Sequence, residues 1–356
     1  MSVDALRGFD MLLIIFLGRF FRGLNMGADI PFTQSLAEQF THPEWFGFHF
    51  WDLVMPLFLF VVGAVIPFSM NKRLDKDPNR PRLYRHLIRR FIILFILGWI
   101  VQGRLLNLDI NEFRIFCNTL QAIAVGYLAS CIAYLNLSKK GRYILFAACL
   151  IVYAIILTVP HVPGVGKSVL LPDQNFALYV DRLIMGRFED GTQYTWILSG
   201  LGFTATVLSG LFAGEIIQSK LAREKVALYL LIYGVAGVVL GLLWGIWHPI
   251  VKKLWTSSFV LFSSGLCFVL LALFYWIIDV KGYRKWAFLL KVIGMNAIFA
   301  YVINNTIHMP AISENLLFGL KQYVGDYYYM VTATGGFAIL YLVLWYFYKK
   351  RTFIKV

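Results

Sequence analysis

Charge is what this sequence has least of. Only 15% of its 356 residues are Asp, Glu, Lys or Arg, and 59% are hydrophobic. A soluble globule would carry about 25% charged residues, so a water-soluble fold is excluded. Acidic side chains are scarcest: 19 Asp and Glu stand against 33 Lys and Arg, for a net charge of +14. Such an excess could suggest nucleic acid. Basic residues also accumulate in the cytoplasmic loops of membrane proteins, where they set topology, and no nucleic-acid partner is expected. Cysteine is rare too. Cys117, Cys131, Cys149 and Cys267 fall in apolar stretches without metal-ligand spacing, so neither a disulfide nor a metal site is expected. The chain also has no GxGxxG, Walker loop, HExxH, CxxC or GxSxG, which removes the short signatures of familiar soluble enzymes. No small-residue cleavage motif follows the first apolar run, which starts at Phe9 and is expected to stay as a signal anchor.

What the chain has is long apolar runs. A bilayer crossing needs about 17–25 residues. By that rule about ten spans are expected, near 6–22, 51–70, 87–103, 114–136, 142–160, 194–217, 226–247, 256–279, 286–307 and 329–348. The fold class is therefore an all-α polytopic membrane helix bundle, a single domain over 1–356. The loop at 71–90 carries eight Lys/Arg against two Asp, and basic loops alternate with the near-neutral loops 23–50, 161–193 and 308–328. The positive-inside rule then puts both termini in the cytoplasm and the loop 161–193 on the outer face. Gly237, Gly241 and Gly245 recur every four residues, as do Gly210 and Gly214. Such faces let a neighbouring helix approach closely, within one chain or between two copies, so a homodimer is open.

The chain is organised around His42 to Gly63, where a polar aromatic loop runs directly into an apolar span. That loop is expected outside. Histidine exchanges protons near neutral pH, and His42 and His49 stand here with Glu44, Trp45 and Asp52. Asp52 opens the apolar run, where the positive end of a helix dipole favours its charge.

Other polar groups recur where a membrane protein tolerates few. Asp4 and Arg7 are spaced for one helix face. Asn118 and Gln121 lie in an apolar stretch and, like Lys291 and Asn296, either hold helices together or line a cavity. Asp181 and Arg182 are adjacent, so a helix points them apart. Lys252, Lys253 and Trp255 begin another span, as interfacial anchors or as ligands.

Taken in order, VDALRG, HPEWFG, DLVMPLFLFVVG, NTLQ, YVDR, PIVKKLWTSSFVL and GMN resemble the heparan-α-glucosaminide N-acetyltransferase family, within the wider transmembrane acyltransferase group. The resemblance implies transfer of an acetyl group from cytoplasmic acetyl-CoA, without a metal, to the amine of a glucosamine-type sugar or glycan end across the membrane. It places the catalytic histidine at His42, which Asp52 or Glu44 in the same loop would orient. Asp4, Arg7, Trp45, Asn118, Gln121, Asp181, Arg182, Lys253, Trp255 and Asn296 become candidate substrate-binding residues. One departure is Gly18, where the lysosomal enzyme has an asparagine. The rival class is a sugar or glycolipid transporter, which mid-span polar residues also suit, although no repeat relates the two halves. A bacterial inner membrane is the expected location.

Overall fold

The computed structural model describes residues 1–77 and 79–353. Its helices are α1 (Ser2–Leu12), α2 (Gly18–Ala28), α3 (Pro31–Gln39), α4 (Val54–Lys76), α5 (Arg80–Val101), α6 (Thr119–Asn136), α7 (Lys139–Thr158), α8 (Phe176–Met185), α9 (Gly200–Gln218), α10 (Arg223–Gly245), α11 (Ser257–Tyr275), α12 (Phe288–Met295), α13 (Ala297–Thr306), α14 (Met309–Leu317), α15 (Lys321–Val324) and α16 (Tyr328–Lys349). A π-helical turn, Leu13–Leu17, joins α1 to α2. Among the described residues the only sheet is a short antiparallel pair, β1 (His161–Val162) with β2 (Gly166–Lys167).

The chain is an all-α polytopic membrane helix bundle. Among the described residues, eight helical runs are long and apolar enough to cross a membrane, or nine if the bent pair α12–α13 forms one span. The expected span at 87–103 is helical but is not among them. It belongs to α5, which still carries Arg85, Arg89 and Arg90 along its apolar part. The expected start at 114 also moves: α6 begins only at Thr119, after Asn118 caps it.

Two compact units divide the chain: Met1–Pro43 with His49–Val54 and Ile277–Val356, and Glu44–Phe48 with Met55–Trp276. In the first, α1 meets α12 where glycines remove side chains. A Cβ at Gly8 would stand 1.7 Å from the Leu290 carbonyl oxygen, and one at Gly294 2.1 Å from that of Asp4. α2 lies on α16 in the same way, with Gly23 against the Met330 backbone and Gly27 against the Tyr327 ring just before α16. α12 and α13 are bent by 75° at Asn296, whose Nδ2 donates to the Thr352 carbonyl at 3.3 Å.

In the second unit, α9 crosses α4. A Cβ at Gly210 would stand 1.9 Å from the Phe60 carbonyl oxygen, and one at Gly63 2.0 Å from that of Val207. Gly237 and Gly241 face α11 through Gly265 and Phe262, whereas Gly245, at the end of α10, faces Ile250. The glycine faces thus serve contacts within the chain. Arg142 of α7 and Glu215 of α9 form a largely buried ion pair at 2.6 Å.

Candidate active site

The polar loop at the head of α4 closes on itself. After α3 the chain turns through Thr41 to His42, and a short 3-10 turn, Phe50–Leu53, carries Asp52 back beside it. The His42 Nδ1 lies 2.6 Å from Asp52 Oδ1. The other Asp52 oxygen accepts the His49 N–H at 2.9 Å, and the Asp52 side chain is wholly buried while that of His42 is 37% exposed. The Phe50 N–H donates to Gln39 Oε1, tying the turn to α3. An ionised Asp52 can only accept, so it keeps a proton on Nδ1, and neutral His42 carries its lone pair on Nε2. The arrangement is an oriented base whose supporting acid has both oxygens occupied.

An apolar seat holds this loop in place. Phe40 and Val54 cluster with Leu13, against Phe21 of α2 and Trp51. The Trp51 ring lies against Gly18, where a Cβ would stand 2.8 Å from it. Gly18 therefore has a packing role: the missing side chain is the space that Trp51 fills. The sequence offered no sign of this, because the partner is 33 residues away.

The other candidates divide between the units. In the first, Asp4 and Arg7 pair at 3.6 Å, and Arg7 also reaches the Gly294 carbonyl of the GMN stretch at 3.4 Å. The Asn118 side chain, in the second, caps α6 by accepting from Leu120 N and donates to the Gly98 carbonyl at 2.6 Å. Gln121 bridges the Cys117 N–H and the Ile115 carbonyl. These two amides therefore brace the entry to α6. Asp181 and Arg182 do point apart. Buried Asp181 accepts from the Trp196 and Ile197 N–H groups, whereas exposed Arg182 pairs with Asp173. Trp45 donates from Nε1 to the Leu170 carbonyl at 2.8 Å, and the Lys253 ammonium lies 5.5 Å from its ring centre. Trp255 is a core residue with Nε1 donating to Thr206 and backbone in the left-handed region at φ 53°.

Two buried groups in the second unit have shifted protonation. Burial pushes the Asp181 carboxyl up to about 7, although two N–H donors pull it down. Burial pushes His248, between α10 and α11, down to about 4.

Against this geometry the similarities to known proteins take on meaning. Residues 1–106 match a family described as a domain of unknown function (DUF5009). Heparan-alpha-glucosaminide N-acetyltransferase from Mus musculus is 24% identical, with 99% of this chain and 60% of that protein covered. Its Homo sapiens counterpart is also 24% identical, with 100% of this chain and 59% of that protein covered. The chain is a distant relative of the heparan-alpha-glucosaminide N-acetyltransferases. It spans about three fifths of the length of these curated relatives.

Three features of the chain lie beyond the sequence reading. Asp10 of α1 is fully buried, and both its oxygens lack a hydrogen-bond partner among the described residues; the sequence marks it only as an interruption of an apolar run. The Arg142–Glu215 pair joins residues 73 positions apart, with no local signal. The Arg90 guanidinium lies 4.0 Å from the centre of the buried Tyr127 ring. Nearby, His86 is held below its ordinary value by burial and then by Arg73, Arg90 and Arg89. The basic composition of 71–90 foretold the charge there, but not its convergence on one histidine.

Proposed function

We propose that this chain is a transmembrane N-acetyltransferase, a single acyltransferase domain over 1–356. It moves an acetyl group from cytoplasmic acetyl-CoA to the amine of a glucosamine-type sugar on the opposite face. The observation that carries the reading is the 2.6 Å pairing of His42 Nδ1 with the buried Asp52. In this reading the amine reaches His42 as a neutral nitrogen. The Nε2 lone pair takes a proton from it as the nitrogen attacks the thioester carbonyl. The N–C bond forms, the C–S bond breaks, and the proton passes from His42 to the CoA thiolate. In the two-step form, Nε2 itself attacks, releases CoA and passes the acetyl group to the amine.

The donor needs a place for its phosphates. Arg73, Arg89 and Arg90 around His86 supply guanidinium groups suited to phosphate. Trp45 with Lys253 offers an aromatic face and a cation for an acceptor. A bacterial inner membrane suits a chain of this kind.

The test is a transfer assay on the purified chain in detergent, with radiolabelled acetyl-CoA, a panel of amino sugars and a His42→Ala control. Label on glucosamine, absent with the control, supports the reading. Label retained on the protein without acceptor selects the two-step form. Unchanged transfer by the control would sink the role of His42, and no transfer to any amine would sink the acceptor class.

A further inference from the structure

One cavity in the first unit takes no part in the chemistry above. It has a volume of about 290 Å³ and is lined by Arg19 and Met26 of α2, by His308 and Glu314 around the start of α14, and by Asp326, Tyr328 and Tyr329 before and within α16, among others. That volume lies just under the ligand-site range of about 300–1,000 Å³, which limits an occupant to a small molecule such as a monosaccharide.

Its charges are the unusual part. Arg19, Glu314 and Asp326 face one space with opposite signs. Among the described residues none of their side chains forms a hydrogen bond or ion pair. The Arg19 Nη1 is buried without a partner. A buried unpaired guanidinium nitrogen is costly unless an anion meets it. Among the described residues no ion pair joins Arg19 to either carboxylate. The helices that carry them are fixed in place. Gly23 and Gly27 fix α2 against the α16 side, leaving no slack for a side chain between them. The Tyr328 hydroxyl donates to the Glu314 carbonyl at 3.1 Å, tying α14 to α16. Gly336 of α16 lies against Pro310 of α14, where a Cβ would stand 2.8 Å from the Pro310 nitrogen. Arg19 and Met26 lie two turns apart along one face of α2.

We propose that this cavity binds a small organic zwitterion: a molecule of monosaccharide size with a phosphate or carboxylate for Arg19 and an ammonium for Glu314 and Asp326. Tyr329 lines the space between these groups, whereas Tyr328 is a buried wall residue with the Lys321 ammonium 5.8 Å from its ring centre. A ligand with only an amine leaves Arg19 unsatisfied. A ligand with only an acid meets two carboxylates. A cation-only metal site is not what these groups build: among the described residues no cluster of three or more His, Cys, Asp or Glu is placed to hold a metal ion. The inference does not require acetyl transfer.

Equilibrium binding to the purified full-length chain in detergent tests it, with radiolabelled glucosamine 6-phosphate as probe. Glucosamine and glucose 6-phosphate serve as single-charge competitors. The expected result is saturable binding, with each competitor at least tenfold weaker than unlabelled probe. Arg19→Gln should weaken binding at least tenfold, and the double variant Glu314→Gln/Asp326→Asn should do the same. The acidic pair is exposed, so this variant reports even if Arg19→Gln fails to fold. Acetyl transfer by the Glu314→Gln/Asp326→Asn variant should stay at the parent's rate, which separates this site from the acetyl-transfer site. No saturable binding would overturn the proposal. So would equal competition by glucose 6-phosphate, or unchanged affinity in the well-folded variants.

Discussion

The Nδ1 of His42 and the Oδ1 of Asp52 stand 2.6 Å apart, with the carboxylate buried and the ring partly open. This fixes which ring nitrogen can act. In the Asp52→Asn variant the new amide would have to serve the His49 N–H with its oxygen and so turn its NH₂ toward His42. Nδ1 would then accept, and Nε2 would carry the proton. Asp52→Asn should lower acetyl transfer about 10³- to 10⁴-fold, the scale seen when a histidine base is held in the wrong tautomer. Acetyl-CoA binding should persist, as measured by equilibrium dialysis beside the transfer assay.

Gly210 is the tightest point between α9 and α4. Ala there would put a methyl group 1.9 Å from the Phe60 carbonyl oxygen, and backbone does not yield as a side-chain tip does. Overpacking of this kind costs about 1–3 kcal/mol. Gly210→Ala should therefore lower the melting temperature in detergent, while Gly186→Ala, in open space but with positive φ, should lower it through backbone strain alone. A Gly210→Ala variant as stable as the parent would show that α9 and α4 separate easily.

Asp181 and His248 should give opposite pH dependences. The Asp181 carboxyl is raised from 3.8 to about 7 on folding. Its contribution is fully present below the unfolded value and is lost as pH rises toward 7. His248 is lowered from 6.5 to about 4. Its contribution is present above the unfolded value and is lost as pH falls toward the folded one. The two slopes oppose each other over one window. His248→Phe should leave a protein that weakens as pH rises through that window, and Asp181→Asn one that weakens as pH falls through it. Thermal denaturation across that range reads both.

Arg142 and Glu215 give a fourth expectation. Removing one partner of a buried pair leaves a charge without compensation and costs about 3–5 kcal/mol. Glu215→Ala should show that loss in denaturation midpoints. The double variant Arg142→Met/Glu215→Leu should recover most of it, but not the Arg142 bonds to the Tyr134 and Leu137 carbonyls.

The helices were legible because apolar length alone announces a membrane span, and α4, α7, α10 and α11 follow the sequence closely. Boundaries were harder. The apolar character of Ile115–Cys117 runs on into α6, yet the helix waits for the Asn118 cap, so a residue read as mid-span is a brace at its edge. α5 shows the converse: the expected span at 87–103 covers only the later part of a helix that begins at Arg80, because arginines in its first half break the apolar run. At the site, His42 and Asp52 were legible as types in one loop. Which carboxylate, Asp52 or Glu44, orients His42 was not, since ten residues of irregular chain have no period. The seat for Trp51 on Gly18, and the cavity beside Arg19, depend on contacts between distant segments that no local pattern encodes.

The π turn at Leu13–Leu17 gives the first membrane run two phases. An extra residue in a helix rotates all that follows by about 100°. Asp4, Arg7 and Gly8 are therefore indexed to α12 by one count. Gly18, Arg19, Gly23 and Gly27 are indexed to Trp51, the cavity and α16 by another. A single residue deleted from this stretch would turn Gly18, Arg19, Gly23 and Gly27 away from Trp51 and α16 while leaving Asp4, Arg7 and Gly8 on α12, so this one turn sets the angular relation between the two halves.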